Sequence, residues 1–168
     1  LLLPVSVALD KIRSSANANR KILTAVHEAG HAVTSIALLH EIPDQLHCNA
    51  ADTESMGFTM MGSDDDRIRT RTFIISSAAR CLGGLEAERL LFGEEMISIG
   101  ASSDMAIATD IISQAIHENG LGDKLGFFAK NTNKVEFAFT TSTDTLEQEA
   151  ERLLHEAKKL AQETLSAK

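Results

Sequence analysis

Over residues 16–40 the apolar side chains Ile22, Leu23, Val26, Ala29, Val33, Ile36 and Ala37 recur at three- and four-residue spacing. That period places them on one face of a helix, which Pro43 is expected to stop. Two short segments, 46–50 and 57–61, flank the polar run 52–55 and read as a small hairpin. Ser63, followed by Asp64, Asp65 and Asp66, has the form of an N-cap with acid in the first turn, where the helix dipole favours it. A long helix is therefore expected from there to Leu91. Within it Gly83 and Gly84 each cost about 1 kcal/mol against alanine, so the pair implies a packing reason, such as close approach of another helix. Gly93 ends that helix, and residues 97–100 form a connector. A third helix, capped by Ser102 or Ser103, turns Met105, Ala108, Ile111, Ile112, Ala115 and Ile116 inward before Gly120 closes it in the left-handed conformation. Residues 127–140 read as a loop or weak strand pair. A last helix over 145–167 is expected to bury Leu146, Leu153, Leu154, Leu160 and Leu165 and to expose Glu147, Glu149, Glu151, Lys158 and Lys159. The pattern predicts a mainly α fold with a small β-hairpin or sheet, as one domain over residues 1–168, with 1–15 as a remnant linker.

The chain's 168 residues, 43% apolar and 24% charged, are enough to close a hydrophobic core without disulfides. Sixteen basic against 24 acidic residues leave a net charge of −8, with the excess acid falling after Asp44. Nucleic-acid binding is thereby excluded, because it needs a basic stripe to replace counterions on phosphate. Arg67, Arg69 and Arg71 follow three aspartates directly and read as a solvated face. Cys48 and Cys81 lack CxxC spacing and read as reduced core residues. The apolar opening, residues 1–9, contains Pro4 and falls short of the roughly 20 residues a bilayer crossing requires. No transmembrane span is expected, and Leu1 in place of Met reads as a trimmed or processed chain, from which an anchor could have been cut.

The chemistry concentrates in His27-Glu28-Ala29-Gly30-His31, an HExxH motif within the first helical pattern. Residues i and i+4 project from one face, so the two imidazoles converge on one metal ion while Glu28 can reach a water bound to it. Chance placement of the chain's histidines and glutamates yields such a motif about 0.02 times in this length. Two imidazole nitrogens suit zinc, which needs a third protein ligand and an open position for water. The metzincin pattern requires Gly and His where this chain has Thr34 and Ala37, so that class is excluded. His40, His47, Glu86, Glu88, Asp104 and His117 remain as candidates for the third ligand, and spacing does not choose among them.

Four segments together resemble a known family: TAVHEAGHAV over 24–33, LGGLEAERLLFG over 82–93, GASSDMAIAT over 100–109, and residues 120–126. In order and spacing they are similar to the peptidase domain of the FtsH family of membrane-anchored AAA zinc proteases. The resemblance implies a helical, zincin-like peptidase domain carrying Zn2+, with His27, His31 and Asp104 as metal ligands, Glu28 as catalytic base and Glu88 supporting the ligands. It also implies polypeptide substrates, an AAA ATPase module in a missing part of the chain or in a partner, assembly into a homo-oligomeric ring, and a cytoplasmic, matrix or stromal location, membrane-associated through a missing anchor. The chain departs from the family pattern at Val26, Leu85-Glu86 and Arg89, none of them in the metal set. It also has no G-x-x-x-x-G-K-[ST] phosphate loop, and without Tyr no tyrosine hydroxyl can hold an oxyanion. Two functions therefore stand: a zinc endopeptidase acting on unfolded or flexible polypeptides, and a non-proteolytic helical interaction module retaining a vestigial or structural zinc site. The intact Glu28 favours the first, since structural zinc is usually closed by four protein ligands.

Overall fold

The computed structural model describes residues 19–47, 58–60, 67–123 and 143–167. Helix α1 (Asn19–Thr34) continues as a π turn, Ser35–Leu39. Strands β1 (Gln45–His47) and β2 (Phe58–Met60) pair antiparallel with Leu46 opposite Thr59. Helix α2 (Arg71–Phe92) follows, then 3₁₀ turns at Glu94–Met96 and Ile99–Ala101, helix α3 (Ser102–His117) and helix α4 (Thr143–Ser166). The mainly α expectation with one small hairpin holds; the expected loop over 127–140 and Cys48 lie outside the described residues.

Helix α2 is the axis of the molecule. Every residue from Ile74 to Glu88 except Arg80 is buried, because α1, α3 and α4 all pack against it. Such a helix has no polar stripe and hence no amphipathic period. Its Ala78, Ala79 and Leu82 share a core with Ala108, Ile112, Ala115 and Ile116 of α3 and Leu146, Leu153, Ala157 and Ala161 of α4. Burying each large aliphatic side chain contributes about 1.5–3 kcal/mol. Against α1 the contact is closer. A Cβ on Gly30 would collide with the Gly83 carbonyl and lie 2.7 Å from the Ala87 Cβ, so glycine at both positions lets the two backbones touch. Thr34 adds to this seam, its hydroxyl donating to the Gly30 carbonyl at 2.8 Å.

Several expectations are corrected. The cap of α2 is Thr70, whose side chain accepts from Phe73 N at 3.2 Å, and the extended backbone there starts the helix at Arg71; Ser63 and the three aspartates after it lie outside the described residues. Arg67 and Arg71 are not a free solvated face: Arg67 donates to the Leu39 carbonyl at 2.7 Å and pairs with Glu41, while Arg71 pairs with Asp123. Helix α1 ends before Pro43, through the π turn and the left-handed His40 (φ 57°). Neither Ser102 nor Ser103 caps α3. The cap is Ala101, and it is Ser98 that caps the turn before it. Glu149, expected on the exposed face of α4, is buried and accepts from the backbone N–H of Asp123. By length and composition alone Lys21–Leu39 is long and apolar enough to cross a membrane, yet this same segment carries HExxH and packs against α2.

Candidate metal centre

The close α1–α2 seam brings His27 and His31, one turn apart on α1, against Gly84 of α2. A Cβ on Gly84 would lie 2.6 Å from His27 Nε2 and 2.7 Å from His31 Nε2, so this glycine leaves the space both rings fill. From the other side the first turn of α3 supplies Asp104. Its Oδ2 lies 3.0 Å from His27 Nε2 and 3.5 Å from His31 Nε2, and the two Nε2 atoms are 3.1 Å apart. Ligands about 2.0–2.1 Å from a tetrahedral ion stand roughly 3.4 Å from one another. The spacing of these three atoms therefore fits a single zinc-sized ion, and two nitrogens with one carboxylate oxygen are a donor set zinc accepts. Among the described residues His27, His31 and Asp104 form the cluster able to hold a metal.

The outer ring nitrogens are also committed. His27 Nδ1 donates to Glu88 Oε1 at 2.7 Å, and His31 Nδ1 donates to the Arg80 carbonyl at 2.9 Å. Each bond holds a proton on Nδ1 and turns Nε2 towards the cluster as the atom able to coordinate a metal. Glu88 is only 1% exposed, and it accepts further bonds from Ser98 N at 2.7 Å and Ser98 Oγ at 3.0 Å. Burial disfavours a charge on His27, but the hydrogen bonds and negative charges of Asp104 and Glu88 outweigh it and raise its pKa from 6.5 to about 9. Asp104 shows the reverse. Its partial burial pushes the pKa up, yet bonds and charges from the two histidines hold it well below the usual carboxylate range.

Glu28, next to His27 on α1, is buried at 6% exposure. Other sequence candidates lie elsewhere. Glu86, one of the possible third ligands, is buried between Arg89 and Gln162, whose Nε2 donates to it at 2.8 Å. His40 is exposed at the end of the π turn, His47 ends β1, and His117 ends α3. Sequence reasoning did not single out Ser98 or the Arg80 carbonyl. A serine in a connector and a main-chain oxygen carry no spacing signal of their own.

Residues 14–168 match the model of Peptidase family M41. Over 147 residues the chain is 33% identical to "ATP-dependent zinc metalloprotease FtsH 2" of Sphaerobacter thermophilus, covering 86% of this chain and 22% of that protein. It is 32% identical over 165 residues to "ATP-dependent zinc metalloprotease FtsH" of Caulobacter vibrioides, covering 94% and 26%. It is 30% identical over 148 residues to "ATP-dependent zinc metalloprotease YME1 homolog" of Caenorhabditis elegans, covering 88% and 20%. The chain thus spans about a quarter or less of the length of these relatives.

Proposed function

The chain belongs to Peptidase family M41, and from that premise we propose that residues 1–168 are a zinc-dependent endopeptidase domain, similar to the proteolytic domain of FtsH-type proteases, that hydrolyses unfolded or flexible polypeptides. The observation that carries this reading is the convergence of His27 Nε2, His31 Nε2 and Asp104 Oδ2 at 3.0–3.5 Å, next to a glutamate on the same helix.

On this reading His27, His31 and Asp104 hold Zn2+, which when bound polarises the scissile carbonyl and lowers the pKa of a bound water towards about 7. Glu28 accepts the proton of the attacking water and passes it to the nitrogen of the leaving amine. Glu88 and the Arg80 carbonyl hold the two imidazoles in the tautomer that presents Nε2. Asp104 is partly open to solvent, which leaves one side of the cluster accessible to an incoming peptide.

The sequence contains no phosphate loop, while the relatives above are named as ATP-dependent. Opening a stable fold costs about 5–15 kcal/mol, which peptide hydrolysis does not provide in advance. We therefore assign that work to an AAA module elsewhere in the polypeptide or in a partner, on the cytoplasmic, matrix or stromal side of a membrane. One substrate prepared in stably folded and in permanently unfolded form tests the reading. The 168-residue chain should cut the unfolded form without nucleotide, lose that activity to a chelator, and spare the folded form. Failure to cut either form when fully loaded with zinc would favour a non-proteolytic scaffold.

A further inference from the structure

Beside the metal cluster, the segment between α2 and α3 contains one side chain whose bonds reach towards two of the three converging groups. The backbone N–H of Ser98 donates to Glu88 Oε2 at 2.7 Å, and its hydroxyl donates to Glu88 Oε1 at 3.0 Å. Oε1 is the same oxygen that receives His27 Nδ1 at 2.7 Å. A hydroxyl has one proton and two lone pairs. With the proton committed to Glu88, the Ser98 oxygen accepts from the Gly100 backbone N–H at 3.3 Å and caps the turn Ile99–Ala101. That turn runs straight into α3, whose first turn carries Asp104.

We propose that Ser98 is a positioning residue for the metal centre, setting His27 through Glu88 and Asp104 through the turn it caps. The proposal rests on the zinc reading above and adds a residue to it. Glu88 is almost wholly buried, and a buried carboxylate with one partner would be poorly compensated and free to rotate. Three donors fix both of its oxygens, so the plane of the carboxylate, and with it the His27 ring, is defined. The same serine fixes how α3 enters the site. Without the hydroxyl, Glu88 keeps the Ser98 N–H but loses the bond at the oxygen shared with His27, and the turn before Asp104 loses its cap.

The test compares wild type, Ser98→Ala and Ser98→Thr in the 168-residue chain. Three readouts are needed: zinc affinity by competition with a chromophoric chelator, the visible bands of cobalt(II) bound in place of zinc, and the thermal midpoint of the metal-free protein. Loss of a partner behind a metal-ligating histidine typically weakens binding 10–100-fold, and Ser98→Ala should lie near the lower end, about 10-fold. Its cobalt bands should change while the metal-free midpoint stays close to wild type, and Ser98→Thr, which keeps the hydroxyl, should restore both affinity and spectrum. Wild-type zinc affinity and cobalt bands in Ser98→Ala would overturn the proposal. So would a weakening that threonine does not recover and that follows a fall in the metal-free midpoint, since that marks a merely structural serine. If wild type itself binds no zinc through His27, His31 and Asp104, the zinc reading fails and the proposal with it; a normal wild type with an unaffected Ser98→Ala overturns the proposal alone.

Discussion

Gly84 and His27 are in such close contact that a single added methyl group would stand 2.6 Å from the imidazole Nε2. The convergence of the two imidazoles therefore depends on a glycine that has no side chain to offer a metal. Gly84→Ala should displace both rings and lower zinc affinity by more than 10-fold. Gly83, one residue away, faces the Thr34 hydroxyl and lies where a Cβ would be 2.7 Å from the Gly30 carbonyl. Gly83→Ala should instead force the α1–α2 seam apart and cost about 1–3 kcal/mol of stability, as overpacking does. Urea denaturation and zinc competition on the two variants check this division. Equal effects of both substitutions on both readouts would contradict it.

Asp104 and Glu86 make a second contrast, since both are acids that sequence spacing left open as third ligand. Asp104→Ala should abolish tight zinc binding in a chain that still folds. Glu86 is held between Arg89 and Gln162 in the interior, so Glu86→Ala should cost about 3 kcal/mol by leaving those partners unsatisfied. In the remaining folded protein zinc affinity should be unchanged. Zinc content and denaturation midpoints of the two variants provide the check.

The proton on His27 predicts a pH dependence. Its folded pKa is raised from 6.5 to about 9, so in protein stripped of metal its contribution to stability is complete below pH 6.5 and is lost as pH rises through 9. Asp104 is shifted the other way. Its contribution is complete above its unfolded value of 3.8 and disappears as pH falls below it. Stripped protein should therefore gain most from this pair between about pH 4 and 6.5. Zinc must displace the His27 proton, so its apparent affinity should climb steadily up to about pH 9. Thermal melts with and without zinc across this range measure both trends, and His27→Ala should flatten the alkaline limb.

What the sequence disclosed depended on how local the determinant was. HExxH reads directly, because four residues of helix suffice to put His27 and His31 on one face. The glycine pair was legible as a contact, since nothing else explains two glycines inside a helix. Asp104 was not derivable from spacing: it lies 77 residues from His27, and α2 and α3 must both pack before the two meet. Only the likeness of residues 100–109 to a family motif singled it out. The start of α2 misled because Ser63 with three following aspartates has the sequence of a cap, whereas Thr70, which caps α2, has no acid in the turn after it. The burial of Glu149 was hidden for another reason. The donor that draws it in is a backbone N–H at Asp123, 26 residues away, and the amphipathic pattern of α4 carries no trace of it.

Glu28 bears the central claim, that this centre hydrolyses peptide bonds and does not merely hold a metal. Glutamine at this position has nearly the same shape but cannot accept the proton of the attacking water. The most direct measurement is cleavage of an unfolded polypeptide by wild type and by Glu28→Gln, with bound zinc quantified in the same samples. The account predicts about one zinc per chain in both, cleavage by wild type, and a loss of at least 100-fold in the variant, as removal of a general base typically costs. Equal cleavage by the two proteins at equal zinc content would contradict it.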